Sequence, residues 1–364
     1  MDLGANVIDT FELSIFDSGD QSRAIVVARR GHDLAIEPLA CDSLPAMAVF
    51  RDQLAAAAQG TGQRPPSAAL TQFGERLFSF CVKNSVDRIY QRLPNSYVRV
   101  HILSNRADLQ ALPWEYLQEP GTTPGPNSLR SVVRIVPTIG IDPPAPVRLP
   151  GRKLRVLFVY ADPIDQQSVS WEDIKESLER EFAAHAAGAW DMDLIEGASP
   201  DALNAAVDAR HYDILHFAGH GQISAAGQGE LVFMDVKSHQ SKPLAAATLG
   251  TLLRDKQLRL AVLSACSSSA GDFARPFSVV AKTLVESNVP AVVANQFPIT
   301  NSIAAKFAGA FYRELLRSGD VDQATSNGRL SLYAEPDLPN QAARFEWGIP
   351  TLYRHVGAAL VWKP

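Results

Sequence analysis

The 364 residues are 46% apolar and carry a formal net charge of -5. That is enough apolar mass for one large core or two moderate ones, and with no basic run it leaves no electrostatic footprint for nucleic acid. Three cysteines, Cys41, Cys81 and Cys266, are odd in number and far apart, which argues against a disulfide framework and fits a reducing compartment.

The first ten residues lack the basic flank and apolar core of a signal peptide. No stretch approaches about 18 uninterrupted apolar residues. The expectation is a cytoplasmic protein that does not engage a membrane. Phe11–Phe16 and Arg23–Ala28 read as two strands of a hairpin around the polar turn 17–21. From Leu44 to Ala58 and from Pro66 to Val82 apolar residues recur at helical spacing. Tyr97–Leu103 alternates as a strand, with His101 partly exposed on it. Leu112-Pro-Trp-Glu-Tyr-Leu117 combines a large apolar payload with one carboxylate, and reads as a packing segment in which Trp114 and Tyr116 anchor this first region. Ser131–Val136 is a strand that the sequence assigns to no particular sheet. Pro143-Pro-Ala-Pro146 and Pro150 mark a boundary between residues 1–145, an α+β lead-in domain, and a larger domain over 150–364.

The second region alternates strand and helix. Leu154–Tyr160 is a nearly pure strand run that ends at Asp162. Helix 174–187, strand 190–194, helix 201–209 and strand 214–217 follow. A glycine-rich excursion, 221–229, leads to a hairpin arm at 230–234. Helix 244–253, strand 260–263, helix 277–285, strand 291–295 and helices 303–316 and 321–332 complete the pattern. This alternation predicts an α/β fold, a three-layer α/β/α arrangement on a mostly parallel sheet, with the N-terminal α+β extension attached.

Two of these strands deliver reactive side chains. Asp213-Ile-Leu-His-Phe-Ala-Gly-His-Gly221 and Leu258-Arg-Leu-Ala-Val-Leu-Ser-Ala-Cys-Ser-Ser-Ser269 each run from apolar residues into small ones, so His220 and Cys266 are expected just past two strand ends. The crevice beyond the carboxyl ends of parallel strands is where chemistry is usually done. An imidazole beside a thiol raises its thiolate fraction and carries a proton to a leaving amine. Cysteine by itself is as readily a buried core residue. Here the small residues after Cys266, and Gly219 and Gly221 around His220, favour the reactive pairing. The backbone N–H after the histidine is also free to face a developing oxyanion.

The segments His216-Phe-Ala-Gly-His-Gly221, Leu263-Ser-Ala-Cys-Ser-Ser268, Val293-Ala-Asn-Gln-Phe-Pro-Ile299 and Trp347-Gly-Ile-Pro350 resemble the CHAT domain, a caspase-like (clan CD) cysteine protease family related to separases. The resemblance runs from about Leu154 to Leu360, with the family's lead-in at Leu112–Leu117. It implies a caspase-like fold, with His220 as general base and Cys266 as nucleophile. Family members are often linked to bacterial defence and cell death. Some relatives are noncatalytic binding or regulatory modules, which is the alternative reading. Ser267–Ser269 stand where a threonine is common in the family.

The expected reaction is peptide-bond hydrolysis, with a protein or peptide substrate, an activating protein partner, and no metal or organic cofactor. Backbone N–H groups of Gly221 and Cys266 are the candidate oxyanion donors. Asp162 and Asp272 are candidate carboxylates of the pocket for the residue before the cut and would favour lysine or arginine. Both also suit plain capping duty. His216 is expected to be a buried strand residue bonded to backbone. The glycine-rich 219–229 lacks the ending of a phosphate loop, and no Gly-x-Ser-x-Gly elbow surrounds the serines near Cys266.

Overall fold

The computed structural model describes residues 8–363 except 124, 128, 139–145, 149–152, 167, 169–170, 186–187, 267–275 and 335–343, and at 147–148, 265–266 and 363 the backbone only. The chain opens with strand β1 (Asp9–Asp17), in which Phe11, Leu13 and Ile15 are buried and their neighbours are not. That period of two sets one face against a core. As the alternation predicts, β1 pairs antiparallel with β2 (Arg23–Arg30). A third strand, β3 (Asp33–Ala40), pairs with β2. Its charged residues and Pro38 hide it in the sequence, and an edge strand tolerates proline.

Helices α1 (Leu44–Ala58) and α2 (Ser67–Cys81) lie where the apolar spacing predicts them, followed by the short α3 (Asn84–Tyr90), which the spacing does not reveal. After β4 (Val98–Ser104) and α4 (Ala107–Gln110) comes β5 (Arg130–Ile135). Then follow β6 (Val147–Arg148), β7 (Leu154–Tyr160), α5 (Glu172–His185), β8 (Trp190–Ile195), α6 (Pro200–Ala209), β9 (Ile214–Ile223), β10 (Gly229–Met234), β11 (Ser241–Ala245) and α7 (Ala246–Leu253). The last elements are β12 (Leu260–Cys266), α8 (Pro276–Glu286), β13 (Ala291–Asn295), α9 (Asn301–Ser318), α10 (Val321–Tyr333), β14 (Pro350–Arg354) and β15 (Trp362–Lys363). The last strand pairs with β6 in a separate two-stranded sheet.

Among the described residues thirteen strands share one sheet, in the order β11-β10-β9-β12-β13-β14-β5-β4-β1-β2-β3, with β7 also against β9 and β8 beyond β7. Ladders β8-β7-β9-β12-β13 and β14-β5-β4-β1 are parallel, and β13-β14 is antiparallel. Helices cover both faces. Phe158, Phe182, Phe311 and Tyr312 belong to one core, which includes α5 and α9 and runs on into the N-terminal region. Phe217, Phe233, Leu249, Phe277 and Leu284 belong to a second core under α7 and α8. The expected three-layer α/β/α arrangement is therefore present.

Strand β5, which the sequence left without a sheet, is the joint. It lies between β14 and β4, so the ladder crosses from the second region into the first without a break. Trp114 and Tyr116 are buried beside this joint. The Tyr116 hydroxyl donates to Phe345 O at 2.5 Å, and its ring meets Trp347 edge-on at 4.9 Å. Burying aromatic side chains of this size contributes about 1.5–3 kcal/mol each.

Candidate active site

β9 does not stop before His220. It runs on to Ile223, because its far half finds a new neighbour. β7 pairs with β9 only as far as Tyr160 opposite Ala218, and from His220 onward that edge of β9 pairs antiparallel with β10. His220 thus sits where β9 exchanges one partner for another, and it is within the strand rather than past its end. On the opposite edge, β12 pairs with β9 residue for residue until its last position, where Cys266 stands opposite His220. Cys266 likewise closes a strand instead of following one. Adjacent strands lie about 4.8 Å apart in the hydrogen-bonding direction.

His220 is 1% exposed. The chain leaving β7 turns directly in front of it, and the Asp162 carboxylate comes within 3.8 Å of His220 Nε2. Asp162 also accepts a hydrogen bond from Ser168 Oγ at 2.8 Å. Burial and Asp162 together push the Tyr160 phenol up. The turn is pinned from the other side, where Asp165 accepts from the backbone N–H and the hydroxyl of Ser241 at 2.8 and 2.9 Å. Burial alone would raise the Asp165 carboxyl, but the Ser241 bonds, with His220 adding to them, hold it below its ordinary value.

The two glycines around His220 are required by close approach, since neither has a left-handed backbone. A Cβ at position 219 would come 2.8 Å from Ala161 O, and one at 221 would come 2.6 Å from the Phe277 ring. Gly219 lets the β7 turn, and so Asp162, come close. Gly221 lets α8 lie on the strand of His220. Gly221 itself remains in the ladder opposite Leu231.

Of the expected site residues, the structure thus brings Asp162 and His220 together and aligns the backbones of His220 and Cys266. Asp272 and Ser267–Ser269 lie outside the described residues. His216 is fully buried as expected, but it bonds a side chain and not the backbone. Its Nδ1 lies 2.9 Å from the Tyr312 hydroxyl, its ring stacks on Phe158, and burial drives its pKa down to about 3. His101 is not partly exposed. At 5% exposure it lies 2.9 Å from Arg354 Nη2, beside the pair that Arg354 makes with Asp322. Burial and the Arg354 charge lower it to about 3. Arg354 of β14 and Asp322 of α10 reach side chains of β4 and cover a face that alternation in β4 alone leaves undefined.

Glu115 carries more than the packing role its segment predicts. Arg134 grips it with two bonds of 2.9 and 2.7 Å, Gln296 Nε2 donates to it at 2.7 Å, and Arg329 lies 3.9 Å away. Burial alone would raise this carboxyl, but the Arg134 and Arg329 charges outweigh it and hold Glu115 below the usual range. Gln296 also donates to Gly348 O at 2.6 Å. Gln296 therefore ties together the segments Leu112–Leu117, Val293–Ile299 and Trp347–Pro350, far apart in sequence, with the buried Glu115 on one side and Gly348 on the other. Among the described residues no three His, Cys, Asp or Glu side chains converge as a metal site, and no helix is long and apolar enough to cross a membrane.

The structure is similar to the Saccharomyces cerevisiae separase-securin complex, with a TM-score of 0.50 and 10% identity over 95% of this chain and 30% of that one. It is also similar to the Arg-specific cysteine proteinase gingipain R, with a TM-score of 0.49 and 13% identity over 80% of this chain and 68% of that one. At 10% identity the likeness to the separase-securin complex is one of fold. No curated protein matches the sequence. The CHAT domain pattern matches residues 71–357, which run from within α2 through β14 and hence include both His220 and Cys266. By that match, carried on a caspase-like sheet, the chain belongs to the CHAT domain family.

Proposed function

We propose that this chain is a cysteine endopeptidase that cleaves a specific protein substrate. The observation that carries the reading is the register of His220 opposite Cys266 at the end of β12. Residues paired in a parallel ladder share a face of the sheet, and that register supports an imidazole and a thiol at these positions acting through one proton transfer. Cys266 attacks the scissile carbonyl as thiolate. His220 takes up the thiol proton and returns it to the leaving amine. Backbone N–H groups of Gly221 and Cys266 stabilise the oxyanion. Asp162, at 3.8 Å, favours the imidazolium that forms on His220.

Asp162 and Asp272 also serve the pocket before the cut, and a lysine or arginine there satisfies a carboxylate that is otherwise costly to desolvate. A substrate cation at Asp162 shares that carboxylate with His220, which couples specificity to proton transfer. The association of the family with bacterial defence and cell death supports a role in such a pathway, with cleavage raised by an activating protein partner. The test is cleavage of a proteome by the purified chain, with new N-termini identified by mass spectrometry. Wild type should generate a restricted set of cuts that Cys266→Ala does not. Identical termini from both proteins would overturn the reading.

A further inference from the structure

A cavity of about 490 Å³ opens away from His220, between α8 and the part of the sheet formed by β4, β5 and β14. Trp114, Ile135 and Tyr353 supply apolar wall from the sheet side, and Val279 supplies it from α8. Its size lies within the range of about 300–1,000 Å³ typical of small-molecule pockets. Besides Arg134, two cations stand among the lining residues, Arg51 and Lys282, against the single acidic residue Glu286. Their present partners are weak competitors. Lys282 reaches Gln110 Oε1 at 3.2 Å and Glu286 at 3.8 Å, and Arg51 pairs with the adjacent Asp52. Such part-exposed pairs contribute only about 0–1 kcal/mol, so an incoming anion can join or replace them. Arg134 also lines the cavity, but Glu115 neutralises it. The Ser278 hydroxyl, on a wall residue of α8, has no hydrogen-bond partner among the described residues.

The same helix touches the strand of His220. Phe277 packs against Gly221 so closely that a Cβ there would lie 2.6 Å from its ring, and the backbone of α8 at Pro276 and Val280 crowds Gly229. Ser278, Val279 and Lys282 face the cavity within the next turn and a half. Close-packed interiors transmit displacement, and a ligand shifts an equilibrium in so far as it prefers one arrangement of the helix.

We propose that this cavity binds a small organic acid with an aromatic body, and that its occupation is transmitted through α8 to the strand carrying His220. Binding requires nothing of the endopeptidase reading. The transmission rests on the site described above but uses Cys266 only as a thiol.

The test uses the full chain and two isosteric probes, 2-naphthoate and neutral 2-naphthamide, in titration calorimetry. Naphthoate should bind more tightly, by about fivefold, the worth of one part-exposed charge contact. Lys282→Glu should remove that difference, and Ala111→Trp, which fills the cavity, should weaken both probes by at least about tenfold. Val279→Trp, at a residue 37% exposed, serves as the filling variant should Ala111→Trp not fold. Absence of naphthoate binding, or binding that survives a folded filling variant, overturns the site. Transmission is read as the rate of Cys266 alkylation by iodoacetamide, followed at that peptide by mass spectrometry. Saturating naphthoate should change the rate by about fivefold in wild type, a typical coupling, and not in Lys282→Glu. Equal rates with and without bound naphthoate overturn the transmission. A chain that shows the coupling yet cuts no protein would sink the endopeptidase reading alone.

Discussion

His220 and Cys266 stand directly opposite each other on the parallel strands β9 and β12, the one at the point where β9 changes partners and the other at the last residue of its strand. Two residues held by ladder register cannot drift apart without breaking the sheet. If they act as one unit, their removals are not additive. Cys266→Ala and His220→Gln should each lower kcat/KM on a cognate substrate by at least about 10³-fold, and the double variant should be no worse than the worse single one. Purified variants with unchanged thermal transitions are compared by gel-based cleavage. Near-wild-type cleavage by Cys266→Ala would exclude this nucleophile.

Asp162 gives a prediction about specificity. Profiling on peptides varied before the cut should show lysine and arginine favoured over leucine, and Asp162→Ala should lower turnover of the basic peptides by about tenfold or more, the scale of one charge-assisted bond. A wild-type preference for aspartate or leucine at that position, or basic turnover that Asp162→Ala leaves unchanged, would remove Asp162 from the pocket.

The buried Glu115 predicts stability. Truncating it leaves Arg134 and Arg329, 5% and 4% exposed, without their shared counter-charge. Breaking a buried ion pair on one side costs about 3–5 kcal/mol. Glu115→Ala should lose that much in urea denaturation, whereas a loss under about 1 kcal/mol would mean that solvent reaches the guanidinium groups. Because the carboxyl is held below its unfolded value, its contribution is present above about pH 4.5 and fades as pH falls through the lower folded value.

His101 and His216 give a separate pH dependence. In the fold both stay neutral down to about pH 3, while in the unfolded chain each takes up a proton near pH 6.5. Stability is therefore fully present above pH 6.5 and declines as pH falls from there toward 3, by up to about 1.4 kcal/mol per pH unit for each histidine. Between pH 6 and 4.5 the decline in urea midpoint should be shallower in His216→Phe by roughly one proton. An unchanged slope would show that His216 is protonated in the native state.

Deleting residues 1–145 removes β5, and with it the strand that pairs β14, and takes away Glu115 and Arg134. The product should aggregate, because β14 becomes an open edge beside uncovered apolar surface. A monomeric product with the melting temperature of the full chain would show that the second region stands alone.

The sequence by itself determined the layers. Apolar runs of strand length alternating with helical spacing dictate a covered sheet whatever the loops do, and the glycines around His220 identify a strand meant for close approach. Helices α1 and α2 and the β1–β2 hairpin follow from local periodicity, and that signal survives in one dimension. What only the tertiary structure decided is pairing. β3 is hidden by edge-strand residues, and β9 extends through His220 only because β10 arrives to pair its far half. β5 reveals its place only when β14 and β4 lie on either side of it. The same holds for the polar interior. Glu115 meets Arg134, Gln296 and Arg329, and His101 meets Arg354, across separations of up to 253 residues. A buried charge is tolerable only with its partner in place, and sequence spacing carries no record of which distant residue that partner is.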